Sequence, residues 1–266
     1  MPLTFCPLFS GSSGNAAFVG AGGTRVLIDA GLPGRRVSEA LAQIGVLPET
    51  LDGIVITHEH SDHIAGVGVL ARKYRLPVYA NERNWNAMAL KIGDIAPQQR
   101  RVFPDGTDFY IGDIAFQPFD IPHDAAAPVG YRAYYGGRSV AVATDMGYMK
   151  KSVLKALSGA DVVLIESNHD PDMLLRNPRY SVALKKRILG NHGHLSNDAC
   201  AHALTALLDT GVKHVVLGHL SGENNTPELA LSTSLDYLVS EGVSPENDLT
   251  VDLSWRDRVG GVYTVA

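Results

Sequence analysis

Cysteine is scarce in this chain of 266 residues: Cys6 and Cys200 are the only two. A pair so far apart builds no disulfide framework and offers no zinc-ribbon spacing. The expected location is therefore a reducing cytoplasm. No window approaches the ~20 consecutive apolar residues of a membrane-spanning helix, so no membrane partner is expected. The opening residues, Met1-Pro2-Leu3-Thr4-Phe5, carry neither the basic nor the apolar region of a signal peptide. An excess of positive charge is missing as well. The formal net charge is −5, which excludes a globally basic protein but not a local basic groove for nucleic acid. With 45% hydrophobic and 19% charged residues, disorder is excluded as the dominant state. The length suffices for a core without cross-links. The length fits one large domain or two small ones, and no repeat and no Pro- or Ser-rich linker interrupts the chain.

What is present reads as short strands followed by strand–helix pairs. Residues 3–9, 16–19 and 24–29 are strand-like, with Gly22-Gly23 as a hairpin turn between the last two. Pro33 opens a helix that carries Val37, Ala40, Leu41 and Ile44 on one face. Residues 53–57 form a short apolar run of the buried-strand kind, and a helix is expected from about 63 to 74. The middle is strand-rich, over 107–111, 114–121, 129–135 and 139–143, with turns at Gly112-Asp113 and Gly136-Gly137. Helices are expected over 150–157, 178–189, 197–208 and 227–240. Strands are expected over 161–166, 213–218 and from 249 onwards. This order predicts a layered α/β or α+β domain and leaves the order of the layers open.

Histidine carries the chemical signal, with ten in the chain. Three of them fall in Thr57-His58-Glu59-His60-Ser61-Asp62-His63, directly after the run 53–57. A buried strand thus delivers three imidazoles and a carboxylate into one loop. Burying such groups without partners is costly, and a metal is the common partner. Residues i and i+2 of an extended loop point to one side, so His58 and His60 can share an ion. Asp62 and His63 begin the next helix and point elsewhere. The spacing points to two adjacent ions, each served by part of the motif. A solvated His-rich loop is the plain alternative, and would be preferred for one or two histidines. Other strand ends offer His123, Asp145 and His219. Singly, each reads as a capping or surface residue; together they make a coherent two-metal set. Mixed histidine and aspartate donors suit two divalent ions of zinc, iron or manganese.

Leu27-Ile28-Asp29-Ala30-Gly31, the loop 58–63, His123, Asp145 and His219 resemble, in this order, the five motifs of the metallo-β-lactamase fold superfamily. The resemblance implies an α/β fold, a four-layer αββα sandwich forming a single domain over residues 1–266, with a dinuclear site at one edge. By motif position it implies His58, His60 and His123 on one ion, and Asp62, His63 and His219 on the other. Asp145 would bridge them, and Asp29 would orient a ligand from behind. It further implies hydrolysis by a hydroxide held between the ions, with Asp62 in the catalytic machinery.

Several branches fit poorly. Flavodiiron proteins carry a glutamate where this chain has His60, and both cysteines lie outside the ligand motifs of the common zinc β-lactamases. Glyoxalase-like thioesterases share the ligands. Two further segments, Glu166-Ser167-Asn168-His169-Asp170 and Gly193-His194-Leu195-Ser196-Asn197-Asp198, resemble motifs of the transfer-RNA 3′-processing endonucleases. There the glutamate supports a histidine that protonates the departing alkoxide. The plain readings are a strand-end carboxylate for Glu166 and a helix-start residue for His194. A long arm for gripping transfer RNA is missing. Ser10-Gly11-Ser12-Ser13-Gly14-Asn15, His123-Asp124-Ala125, the Glu166 segment and His219-Leu220-Ser221 instead resemble the YycJ (WalJ)-type bacterial subgroup, described as DNA exonucleases.

The implied function is a nuclease or phosphodiesterase acting on DNA, of the 5′-3′ exonuclease kind. RNA cleavage and hydrolysis of a small ester or thioester are the alternatives. A metal-stabilised binding protein with little turnover is the alternative from another class. Candidate substrate contacts are Ser12, Ser13 and Asn15, in a loop whose glycines permit a phosphate-cradling turn, and Asn168 and His169. Lys185, Lys186 and Arg187, with Arg176 and Arg179, would present a basic helix to a phosphate backbone, or else form a solvated face. His192, His202 and His214 read as structural or surface residues. The sequence leaves the oligomeric state open.

Overall fold

The computed structural model describes residues 2–266. Strands β1 (Leu3–Phe9), β2 (Ala16–Ala21) and β3 (Thr24–Ile28) form an antiparallel meander. Then strands alternate with helices: α1 (Gly34–Gln43), β4 (Gly53–Val55), α2 (Ser61–Ile64), α3 (Val67–Tyr74), β5 (Val78–Asn81), α4 (Glu82–Ile92) and β6 (Arg100–Phe103). From β3 to β6 all neighbours are parallel.

The second half repeats the scheme. Strands β7 (Phe109–Ile111), β8 (Ile114–Asp120), β9 (Val129–Tyr135) and β10 (Arg138–Ala143) are antiparallel. There follow α5 (Lys151–Leu157), β11 (Val162–Glu166), α6 (Pro171–Arg176), α7 (Val182–Ile188), α8 (Asn197–Asp209), β12 (His214–Gly218), α9 (Pro227–Ser240) and β13 (Thr250–Leu253). From β10 to β13 all neighbours are parallel. Strand β14 (Tyr263–Val265) returns to pair with β1. The result is two seven-stranded sheets, ordered β14-β1-β2-β3-β4-β5-β6 and β13-β12-β11-β10-β9-β8-β7.

The sheets face each other through Phe5, Val19, Val26, Phe116, Tyr131, Val140 and Val216. On the outer face of the first, Val37 and Leu41 of α1, Leu70 of α3 and Met88 of α4 close a second core. On the outer face of the second, Val153 of α5, Leu204 and Leu207 of α8 and Leu238 of α9 close a third. The layers are therefore αββα. The central parallel strands are covered on both faces, which is why β4 and β11 are buried at every residue and read as unbroken apolar runs. In both sheets the carboxyl ends of the parallel strands leave at one edge, the place where open α/β sheets bind ligands.

Three expectations are corrected. The helix expected over 63–74 is two helices, broken at Gly66. The Gly66 N–H donates to Ala30 O at 2.7 Å, and a Cβ there would sit 2.3 Å from Leu32 O. The helix expected over 178–189 begins only at Val182, where the Ser181 side chain caps it by accepting from Leu184 N. Elements β5, β6, α4 and α6 lie outside the expected set. Strands β5 and β6 have four residues each and α6 has six, and β6 is an edge strand with three exposed residues that show no strand alternation. Among the described residues no helix is long and apolar enough to cross a membrane.

Candidate metal centre

Each donor stands just beyond a strand end. Asp29 follows β3, the loop 58–63 follows β4, His123 follows β8, Asp145 follows β10 and His219 follows β12. Asp29, Asp145 and His219 have φ of 58°, 62° and 52°, and Arg75 is the fourth non-glycine residue with positive φ among those described. Left-handed backbone at non-glycine residues is costly and concentrates where function over-determines the conformation.

His58 Nε2 lies 3.1 Å from His60 Nδ1, and His123 Nε2 lies 3.2 Å from the same atom. Three imidazole nitrogens thus converge, and the single proton or lone pair of His60 Nδ1 cannot serve both contacts well. Burial, with the charge of His63 added, holds His58 well below the usual imidazole range. Burial likewise lowers His123. Both rings are therefore neutral lone-pair donors, as a metal requires. The His123 tautomer is set from behind, since its Nδ1–H donates to Gly193 O at 3.2 Å.

Asp145 lies between this group and a second. Its Oδ2 is 3.2 Å from His63 Nε2 and 3.0 Å from His219 Nδ1, and its Oδ1 is 3.9 Å from His123 Nε2. Burial raises the carboxyl, but His219 and His63 outweigh it and hold Asp145 well below the usual carboxylate range. Asp62 closes the second group more loosely, with Oδ2 3.7 Å from His63 Nε2 and 3.9 Å from His219 Nε2. Asp145 Oδ2 and both ring nitrogens of His219 are buried without an aligned hydrogen-bond partner. Such orphaned donors are costly unless a cation takes them, so the residues fit divalent metal ions.

Behind the donors, Asp29 accepts from Thr57 N at 2.8 Å, from Thr57 Oγ1 at 2.7 Å and from His63 Nδ1 at 2.7 Å. Burial alone would lower His63, yet the carboxylates of Asp145 and Asp29 hold it well above its ordinary value. With Nδ1 held by Asp29, His63 presents Nε2 to the site. Asparagine at position 29 tolerates positive φ but keeps only one accepting oxygen. Asp29→Asn should weaken metal binding by ~10–100-fold, as read by competition against a chelator. Unchanged affinity would remove Asp29 from this role.

Beside the donors, the buried carboxylate of Glu166 accepts from His194 Nδ1 at 2.7 Å through Oε1. Its Oε2 accepts from Met146 N at 2.8 Å and Leu195 N at 3.1 Å. Burial works against a charge on His194, but Glu166 first, then Asp145 and Asp62, lift it to about 9. The structure also brings ligand atoms of Asp145, Glu166, His194 and His219 within 4.8 Å of one another, so His194 has a metal-binding alternative.

His60, Asp62, His123, Asp145, His194 and His219 line a cavity of about 520 Å³. Of the expected substrate contacts, Ser12, Asn168 and Arg187 are on its wall. Ser13 is exposed outside it. Asn15 is buried: its side chain accepts from Gly11 N at 3.0 Å and lies 3.0 Å from His63 Nε2. It therefore stiffens the donor loop and does not face the cavity. His169 is buried behind the wall, and burial pushes it down to about 4. The basic helix is corrected too. Lys185 turns back to donate to Leu175 O at 2.6 Å, Lys186 is off the wall, and Arg187 pairs with Asp124. Sequence reasoning missed Thr57, whose hydroxyl links Asp29 with the histidines, and Lys91 and Tyr180 on the cavity wall. No local pattern marks them.

A two-sheet αββα sandwich with a histidine–aspartate site at the strand ends defines a class. The sequence pattern of the β-lactamase superfamily domain matches residues 24–220, and the chain belongs to that superfamily. It is similar to exodeoxyribonuclease YycJ of Bacillus anthracis, 43% identical over 242 residues and covering 91% of each chain. It is as similar to exodeoxyribonuclease WalJ of Streptococcus pneumoniae, 43% identical over 246 residues, 92% of this chain and 91% of that one. The metallo-β-lactamase fold protein YhfI of Bacillus subtilis shares the fold, with a TM-score of 0.72 at 15% identity over 99% of this chain and 100% of that one.

Proposed function

We propose that the chain is a dinuclear metal-dependent nuclease that hydrolyses phosphodiester bonds of DNA, in the manner of a 5′-3′ exonuclease. The observation that carries this reading is the Glu166–His194 pair, 2.7 Å apart, beside the donor set. The exodeoxyribonuclease relatives support it over chains of nearly the same length. His58, His60 and His123 would hold one ion, Asp62, His63 and His219 the other, with Asp145 between them. The donor types fit zinc, manganese or iron. When bound, the ions supply Lewis acidity and a water acidic enough to attack at neutral pH.

The protein's own residues do the rest. Arg187, Asn168 and Ser12 offer donors to the phosphate from the cavity wall. With Nδ1 held by Glu166, His194 keeps a proton on Nε2 for the departing sugar oxygen. A thiolate leaves without such a donor, so the pair favours the phosphodiester reading over the thioester one. The buried free thiols of Cys6 and Cys200 suit the cytoplasm as the place of action.

The test is cleavage of end-labelled duplex DNA, single-stranded DNA, RNA and a thioester, with manganese or zinc supplied. DNA should be shortened from its end faster than RNA. Thioester turnover with intact DNA would overturn the reading.

A further inference from the structure

A second cavity, of about 320 Å³, adjoins the first, and Ser221 lines both. Its wall includes Trp255, Arg256 and Arg258, from the segment that follows β13. Arg256 is half-buried, yet among the described residues no carboxylate lies within ion-pairing distance of it and no acceptor takes its guanidinium. A half-buried guanidinium without an internal partner is open to an anion from outside. Two glycines make room for the Arg256 side chain. A Cβ at Gly222 would fall 1.6 Å from Arg256 Nη1, and one at Gly11 would fall 2.4 Å from Arg256 Cγ. The fold thus keeps a slot for a guanidinium that has no internal partner.

The surroundings suit a nucleotide. Arg258 lies over the Trp255 ring, 3.6 Å from its centroid, so a planar cationic group already occupies an indole face where a base could stack. Residues at the start of α9, Asn225, Thr226 and Pro227, line the same space, and the dipole there favours an anion. Asp257 also lines the cavity and is exposed; Arg256 and Arg258 outnumber it. The segment is stitched to the metal centre. Ser10 N donates to Trp255 O at 2.8 Å, and Ser10 Oγ accepts from His219 N at 2.8 Å.

We propose that this cavity is a subsite for the nucleotide next to the cleaved phosphodiester, with Arg256 taking its phosphate and Trp255 stacking its base in place of Arg258. The proposal rests on the nuclease reading and assigns the substrate strand a path past Ser221. Bis-p-nitrophenyl phosphate has no neighbouring nucleotide and serves as the internal reference.

In the metal-loaded protein, Trp255→Leu and Arg256→Gln should each lower the ratio of kcat/KM on oligothymidylate to that on bis-p-nitrophenyl phosphate by about tenfold, within the range of a single base-stacking contact. Arg256→Gln should also reduce the log–log salt slope of single-strand binding by ~0.7. A measurement that leaves the subsite intact guards against misfolding. Trp85→Phe leaves Trp255 as the only tryptophan of the two in the chain, and a cleavage-resistant phosphorothioate oligothymidylate should quench its fluorescence. If the parent cleaves DNA while the ratio and slope hold and no quenching occurs, the subsite falls and the nuclease reading stands. If the parent neither cleaves nor binds any nucleic acid, the nuclease reading falls and takes the subsite with it.

Discussion

Asparagine at position 145 should strip the protein of at least one metal equivalent and of nearly all activity while leaving the fold intact. The two oxygens of Asp145 face different partners: Oδ2 meets His63 and His219, and Oδ1 faces His123 and His194. A buried carboxylate in that position can neutralise charge on both sides, and its own Oδ2 has no aligned hydrogen-bond partner. Asparagine removes the negative charge and keeps the shape. It also tolerates the φ of 62° at this position, whereas alanine would add left-handed strain of about 1–2 kcal/mol and confuse folding with function. The loss should exceed the ~10–100-fold expected for a residue behind the donors, such as Asp29. Metal analysis, circular dichroism and turnover on DNA check this together. Two ions retained with normal turnover would end the bridging role.

The donor set was readable in the sequence for a physical reason. His58, His60, Asp62 and His63 are local, and His123, Asp145 and His219 each stand within a few residues of the end of an apolar run. A strand end is where a sheet delivers side chains to its edge, so one rule singles out all seven as candidates. Thr57 escaped, and Asn15 drew a substrate role in place of its structural one, because their value lies in contacts across long stretches of chain. Asn15 meets His63 from 48 residues away. The basic residues 176–187 misled for the same reason. Composition shows them as one charged surface, but Arg176 pairs with Asp172, Arg179 with Glu223 and Arg187 with Asp124. The partner acids of the last two lie in other loops. Conversely, nothing in the run Arg256-Asp257-Arg258 marks the slot that Gly11 and Gly222 leave for the Arg256 side chain. Among the elements, α1 was legible from its apolar stripe, whereas β6 presents three exposed residues at a sheet edge and carries no such pattern.

Removing the imidazole of His194 should separate two kinds of substrate. A sugar alkoxide is a poor leaving group and needs a proton as it departs; p-nitrophenolate does not. His194→Ala should therefore slow DNA cleavage by ~100-fold or more, the usual contribution of a general acid, and should slow bis-p-nitrophenyl phosphate hydrolysis far less. The pH dependence carries the second half of the test. Burial opposes a charge on His194, while Glu166, Asp145 and Asp62 together lift it to about 9. Metal ions on Asp145 and Asp62 would cancel their share, so the working value lies below 9, held up by the 2.7 Å contact with Glu166. The donor must be protonated, so DNA cleavage should decline as pH rises through that value. Glu166→Gln withdraws the carboxylate that favours the imidazolium, so the decline should begin at lower pH, with a milder loss below it. Equal losses on both substrates, accompanied by loss of metal, would instead make His194 a ligand alongside Asp145 and His219, and the proton-donor role would have to be given up.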